Sequence, residues 1–197
     1  MSESARTYWN SQAATFDSEP DHGLQDPDVR EAWRELLLEH LPTAPADVVD
    51  IGCGTGSLSV LLAEAGYRVR GLDLSDAMVE AATKKARASD ATATFQQGDA
   101  SDPPYEPASC DVVLERHVLW AVPDPDSALA KWVRLLRTGG RLVLVEGSWS
   151  TGAGLTAAEC EALVLRHRRS ATVRRLESPG LWGRPVDDER YLLVSPH

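Results

Sequence analysis

No apolar run in this 197-residue chain approaches the roughly 20 residues that a membrane helix needs, which excludes a membrane span. The first ten residues, Met1 to Asn10, are too polar for a secretory signal. Cysteine is scarce. Cys53, Cys110 and Cys160 are odd in number and far apart, which argues against a disulfide framework or paired metal ligands and for a reducing cytoplasm. Basic residues are the minority, 20 against 30 acidic, so the net charge is -10. That field repels phosphate backbones and anionic lipid, and it excludes nucleic acid and membrane surfaces as main partners. The basic cluster Arg166-His167-Arg168-Arg169 ends an expected helix, where cations complement the dipole. The five histidines, His22, His40, His117, His167 and His197, show no paired spacing, so no metal is expected.

What is present alternates between two patterns. Val29, Trp33, Leu36, Leu37 and Leu41 recur at helical spacing, and Pro42 ends that helix. Val48 to Ile51 is a short apolar run that stops at a glycine cluster, as a buried strand does. Helices follow over Leu58–Ala65 and Ala77–Ser89, the second capped by Ser75. A third covers Ser127–Arg137, and Thr156 with Glu159 forms a capping box for a fourth, reaching about Arg168. Strands are expected at Arg68–Leu74, Thr92–Gln97, Asp111–Leu114, Leu142–Val145, Thr172–Leu176 and Arg190–Val194. The last two are joined by a loop over Ser178–Pro185. Strands alternating with helices imply βαβ units and a mostly parallel sheet, whose ligands bind at the carboxyl ends of the strands.

The first strand runs straight into Asp50-Ile51-Gly52-Cys53-Gly54-Thr55-Gly56-Ser57. Alternate glycines let the backbone turn sharply and approach a ligand closely. The dinucleotide fingerprint needs a sixth-position glycine, which here is Ser57, so a nicotinamide enzyme is disfavoured. Asp73 ends the second strand, where a carboxylate can accept from both hydroxyls of a ribose. Asp99 ends the third, where a carboxylate can accept from an adenine amine. A single such Asp is commonly a helix cap or a solvated turn. Three acidic strand ends in a series that begins with a glycine loop are a stronger pattern.

These residues resemble the class I S-adenosylmethionine (SAM)-dependent methyltransferases, in their small-molecule, UbiE-like branch. Val49 to Gly56 matches the first motif, Leu72-Asp73-Leu74-Ser75 with Met78 the second, and Gly98-Asp99-Ala100 the third. Leu135 to Leu142 matches the approach to the fifth strand. Tyr8-Trp9 and Ala13 to Asp17 are similar to that branch's helical lid, with Phe16 standing where many relatives carry Tyr. The resemblance implies an α/β, Rossmann-like fold: a seven-stranded, mostly parallel sheet with helices on both faces and the last strand antiparallel. It implies a lid segment over residues 1–26 and a SAM-binding domain over 27–197, one domain overall. It carries over Asp50, Gly52, Cys53, Gly54, Gly56, Asp73, Leu74, Met78, Asp99, Ala100, Glu115 and Arg116 as cofactor-binding residues.

The implied reaction is methyl transfer to an O or N atom of a small organic molecule such as a bacterial secondary metabolite, with S-adenosylhomocysteine as product. The implied protein is a cytoplasmic monomer or homodimer. A SAM-binding partner or regulator without transfer activity is the alternative. An O–H or N–H acceptor must lose a proton, and His117, just past the fourth strand, is the candidate base; the same histidine could instead shape its loop. Tyr8, Trp9, Trp120 and Trp182 are candidate substrate-pocket walls.

Overall fold

Val48, Val49 and Ile51 have no exposed surface, as a strand covered on both faces requires, and the sheet is built outward from them. The computed structural model describes residues 2–196. The domain limits expected at residues 1 and 197, and His197 of the histidine set, lie outside them. The elements are α1 Glu3–Gln12, α2 Pro20–Gly23, α3 Pro27–His40, β1 Asp47–Ile51, α4 Ser57–Glu64, β2 Arg68–Asp73, α5 Asp76–Ala88 and β3 Thr94–Gln97. There follow β4 Cys110–Arg116, α6 Pro125–Leu135, β5 Leu136–Ser148, α7 Ala157–Val164, β6 Thr172–Arg175, α8 Pro179–Trp182 and β7 Glu189–Ser195.

The seven strands lie in the order β3-β2-β1-β4-β5-β7-β6. Strands β1 to β5 pair in parallel, and β7 runs antiparallel to both β5 and β6. Chain order reverses between β1 and β4, so a crevice opens beyond their carboxyl ends. Alternate strand residues feed two cores. Val48, Leu114 and Val143 pack against Trp33 and Leu37 of α3 and Leu61 of α4, whereas Val49, Val113 and Leu144 pack against Leu129 and Trp132 of α6. Helices therefore cover both faces, as expected.

Local signals explain most boundaries. Asp26 accepts from the N–H groups of Asp28 and Val29 to open α3 behind Pro27. Ser75 caps α5 through Met78 N–H, and the Thr156–Glu159 capping box opens α7. Elsewhere the structure departs from the sequence reading. Helix α6 stops at Leu135, because Leu136 already belongs to β5 and continues the sheet through Gly139 and Gly140. Helix α7 ends at Val164, short of Arg168, and the loop expected over 178–185 contains α8. Three members of the basic cluster are engaged inside the molecule. Arg166 and His167 meet Asp126 at 3.2 and 2.8 Å, and Arg168 donates to the Gly140 carbonyl at 2.8 Å. Among the described residues no helix is long and apolar enough to cross a membrane.

Trp132 is fully buried and its indole N–H donates to the Ala100 carbonyl at 2.7 Å, tying α6 to the segment after β3. Trp132→Phe leaves that carbonyl without its donor and is expected to lower stability by about 1–3 kcal/mol in urea denaturation. An unchanged midpoint would show that the carbonyl finds another partner.

Candidate active site

The crevice at the strand tips is a cavity of about 540 Å³. Its floor is the turn after β1. Gly52 N–H and Cys53 N–H both donate to the Leu72 carbonyl, at 2.7 and 2.9 Å, and Gly54 N–H donates to the Asp73 carboxylate at 2.8 Å. Holding the chain this way requires left-handed backbone at Gly52, with φ +68, and at Gly54, with φ +54. At Gly54 a Cβ would come within 3.2 Å of the Phe16 ring, so the glycine leaves room for the lid to close down on the loop. Cys53 lines the cavity, but burial pushes its thiol well above the ordinary range and keeps it inert.

Carboxyls ring this floor. Asp50 is buried, accepts from Ser59 Oγ at 2.5 Å, and is pushed up to about 6 by loss of solvent. Asp73 accepts one backbone N–H on each oxygen, from Gly54 and from Ser75, both at 2.8 Å. Burial raises its pKa, and each oxygen keeps acceptor capacity for a further donor. Leu74, Met78, Gly98 and Ala100 continue the wall, and Asp99 between the last two accepts from Ser101 N–H at 2.7 Å.

The N-terminal segment forms the roof. Asp17 accepts from Thr55 Oγ1 at 2.5 Å and pairs with Lys85 Nζ at 2.9 Å. Asn10 Oδ1 accepts from Ser75 Oγ at 2.6 Å, and the Arg116 guanidinium donates to the Asp21 carbonyl. Tyr8, Trp9 and Phe16 form an edge-to-face chain, and Phe16 stacks on His22 with centroids 4.2 Å apart.

The remaining wall comes from the ends of β4 and β5. His117 has φ +61, an uncommon conformation for a side-chain-bearing residue, fixed by its N–H donating to the Val145 carbonyl at 2.8 Å. Its ring meets Trp149 edge-on at 5.1 Å and lies parallel to Trp182 at 6.0 Å. Its Nε2 is buried without a partner. Burial, with Arg116 close by, holds the imidazole well below its ordinary pKa, so it is neutral at pH 7.

The cavity thus gathers Tyr8, Trp9, Asp50, Gly52, Cys53, Gly54, Asp73, Leu74, Met78, Ala100, Arg116, His117 and Trp120. Gly56, Asp99, Glu115 and Trp182 are not among its lining residues. Gly56 caps α4, and Glu115 is fully buried behind the wall. Trp182 has no exposed surface; it packs on Trp33 and donates to the Leu176 carbonyl at 2.8 Å, so it supports His117 from the core instead of lining the pocket. Trp149 takes the lining role. It follows β5 directly, where a parallel sheet presents its ligand-facing residues, and that position was the available signal. His22 was also missed, since nothing in its local sequence sets it apart. Among the described residues no cluster of three His, Cys, Asp or Glu could hold a metal ion.

Residues 49–144 match a family described as a methyltransferase domain. The chain is 34% identical over 141 residues to 27-O-demethylrifamycin SV methyltransferase of Amycolatopsis mediterranei, covering 70% of this chain and 48% of that protein. It is 34% identical over 129 residues to demethylmenaquinone methyltransferase of Lactobacillus johnsonii, covering 62% and 53%. The chain spans about half the length of the curated relatives it matches. Among solved structures, geranyl diphosphate C-methyltransferase from Streptomyces coelicolor superposes with a TM-score of 0.77 at 18% identity, covering 98% of this chain and 97% of that one. That similarity establishes the Rossmann-like fold.

A Cβ at Gly52 would stand 2.3 Å from Val118 Cγ2, whereas Gly139, equally left-handed, has open space around it. Gly139→Ala is therefore expected to cost only the backbone penalty, about 1–2 kcal/mol. Gly52→Ala must also displace Val118, and its loss in chemical denaturation should exceed that of Gly139→Ala. Equal losses would mean that the turn after β4 yields freely.

Proposed function

We propose that the chain, whose residues 49–144 match a methyltransferase-domain family, carries a class I SAM-dependent methyltransferase domain of the UbiE-like type and transfers the methyl group of SAM to an O or N atom of a small organic molecule. The observation that carries this reading is the set of carboxyls around a glycine turn, Asp50 buried and Asp73 and Asp99 half-buried. Asp50 has one donor, Ser59, and suits the ammonium of a methionyl group. Asp73 retains acceptor capacity on both oxygens and suits a ribose. Leu74, Met78 and Ala100 suit a flat base, and Asp99, between the lining residues Gly98 and Ala100 though not itself in the lining, is assigned as its polar partner through the third motif. When bound, SAM supplies a methyl group already activated for displacement. The relatives named for rifamycin and menaquinone precursors support a small-molecule acceptor, and the first of them supports secondary metabolism.

The chain's own work is to orient the acceptor, exclude water and manage one proton. Tyr8, Trp9 and Trp120 flank the space beside His117, whose unpartnered Nε2 suits an acceptor O–H or N–H donor. An imidazole held neutral does not take the proton beforehand. It receives the proton as the acceptor's O–H or N–H bond breaks during methyl transfer, and then releases it to solvent.

Asp73→Ala removes a charged acceptor for two hydroxyls and is expected to weaken SAM binding at least about 100-fold in calorimetry. Unchanged affinity would refute the ribose assignment. Affinity for SAM should also fall as the pH drops through about 6, because Asp50 then becomes neutral. For His117 the acid limb of the profile moves to lower pH together with its lowered pKa. The base works when deprotonated, so at saturating SAM the rate of tritiated-methyl transfer into a panel of phenols and amines should not decline at the usual imidazole pKa. His117→Ala should lower that rate about 100-fold or more. A wild-type midpoint near 6.5, or full activity in the variant, would remove His117 from the role.

A further inference from the structure

Behind the cavity wall lie two carboxyls that none of these roles uses. Glu115 and Glu146 are both fully buried, at the carboxyl ends of the adjacent parallel strands β4 and β5. Glu115 pairs in register with Leu144, so Glu146, two residues on, shares its face of the sheet. The side chains are close enough to act on each other directly. Their other oxygens reach the turn that follows β4. Glu115 Oε2 accepts from Val118 N–H at 2.8 Å, and Glu146 Oε1 accepts from Trp120 N–H at 3.3 Å. The Leu119 N–H lies between them and bears on both. Three consecutive backbone donors thus converge on the pair. Glu115 Oε1 and Glu146 Oε2 are buried without a donor.

Two carboxylates so near each other, away from water, cannot both be charged, and a proton between them supplies a donor that the two orphaned oxygens lack. The turn they hold carries Val118, which packs on Gly52, together with His117 and Trp120 in the cavity wall. Trp120 Nε1–H also donates to the His117 carbonyl at 3.0 Å, which ties the indole to the backbone of the same turn. Around the pair stand Cys160 of α7 and Tyr191 of β7, whose hydroxyl donates to the Leu155 carbonyl at 3.0 Å, with Glu161 beyond Cys160. On the cavity side, Arg116, His22 and Arg190 surround His117.

We propose that Glu115 and Glu146, sharing one proton, are positioning residues for the acceptor side of the site: they fix the turn over 117–121, and loss of the proton releases it. The inference rests on that turn being the acceptor wall. Burial raises both carboxyls, so the held turn is fully present below the ordinary carboxylate range and is lost as pH rises through the pair's elevated values.

The test uses the whole chain labelled with 5-fluorotryptophan, the Trp120 fluorine signal being assigned by its absence in Trp120→Phe. Between about pH 6 and about pH 10 the wild-type Trp120 signal is expected to shift in one step. In Glu146→Gln, whose uncharged amide can donate to Glu115 permanently, it should hold its low-pH position throughout. Glu115→Gln serves as the second reading if the first variant does not fold, and the wild-type titration decides alone if neither does. A Trp120 signal that stays put in wild type, or that titrates identically in the folded Gln variant, overturns the proposal. The signal reports the turn and needs no methyl transfer, so an inactive chain still returns an answer.

Discussion

Three hydrogen bonds fasten the tip of β1 to the tip of β2, from Gly52 and Cys53 to the Leu72 carbonyl and from Gly54 to Asp73. The rest of the site is arranged on that turn. Each of its glycines is the seat of a different element. Val118 of the acceptor-side turn sits on Gly52, Phe16 of the lid on Gly54, and Ala82 of α5 with Phe95 of β3 on Gly56. A side chain at any of the three would push a different wall outward. The same turn leads into α4, whose residues from Ser57 to Ala63 are buried, so displacement of the loop is resisted by a core helix.

Around this floor the protein withdraws from water ionisable groups that a simple core would exclude: Asp50, Glu115 and Glu146 are buried, and Arg116 and His117 half-buried. Each carries a desolvation penalty, and each is held by partners that offset it only in part. Asp50 has Ser59, Arg116 has the Asp21 carbonyl and the face of Trp33, and His117 has no side-chain partner for Nε2. Such incompletely satisfied groups persist because two apolar clusters, one on each face of the sheet, hold the strands that present them. Concentrating them at one end of one sheet is what a binding cavity requires and what a purely structural interior avoids.

How far all this was legible depends on the separation of the residues involved. Val48–Ile51, Ser75 and the Thr156–Glu159 box are local signals, and the structure forms β1, α5 and α7 where they stand. Asp50, Asp73 and the glycines were legible because one turn and one strand end contain them. The early start of β5 was not. Leu136 continues the helical spacing of Leu129, Trp132 and Val133, and only pairing with Cys110 draws it into the sheet. Glu115 and Glu146 have no sequence relationship that links them; parallel register alone brings them together. Trp149 and Trp182 were equally eligible as wall residues by type. The hairpin of β6 and β7 with α8 decides between them by burying Trp182 against Trp33.

The roof and the walls are held by different physics, and that difference bears on how the cavity can be used. Helix α1 has no buried residue, and the N-terminal segment is fastened mainly by polar contacts: Asp17 to Thr55 and Lys85, Asn10 to Ser75, and Arg116 to the Asp21 carbonyl. Bonds of this kind exchange with water at little net free energy, about 1 kcal/mol each for ordinary hydrogen bonds. The floor and the β4–β5 wall are part of the apolar interior, where opening means exposing Leu72, Leu119 or Val145, all of them without exposed surface. Local opening therefore begins at the roof. The segment that parts most easily from the rest carries Tyr8, Trp9 and Phe16, whereas the carboxyls and His117 stay on elements held by the apolar interior.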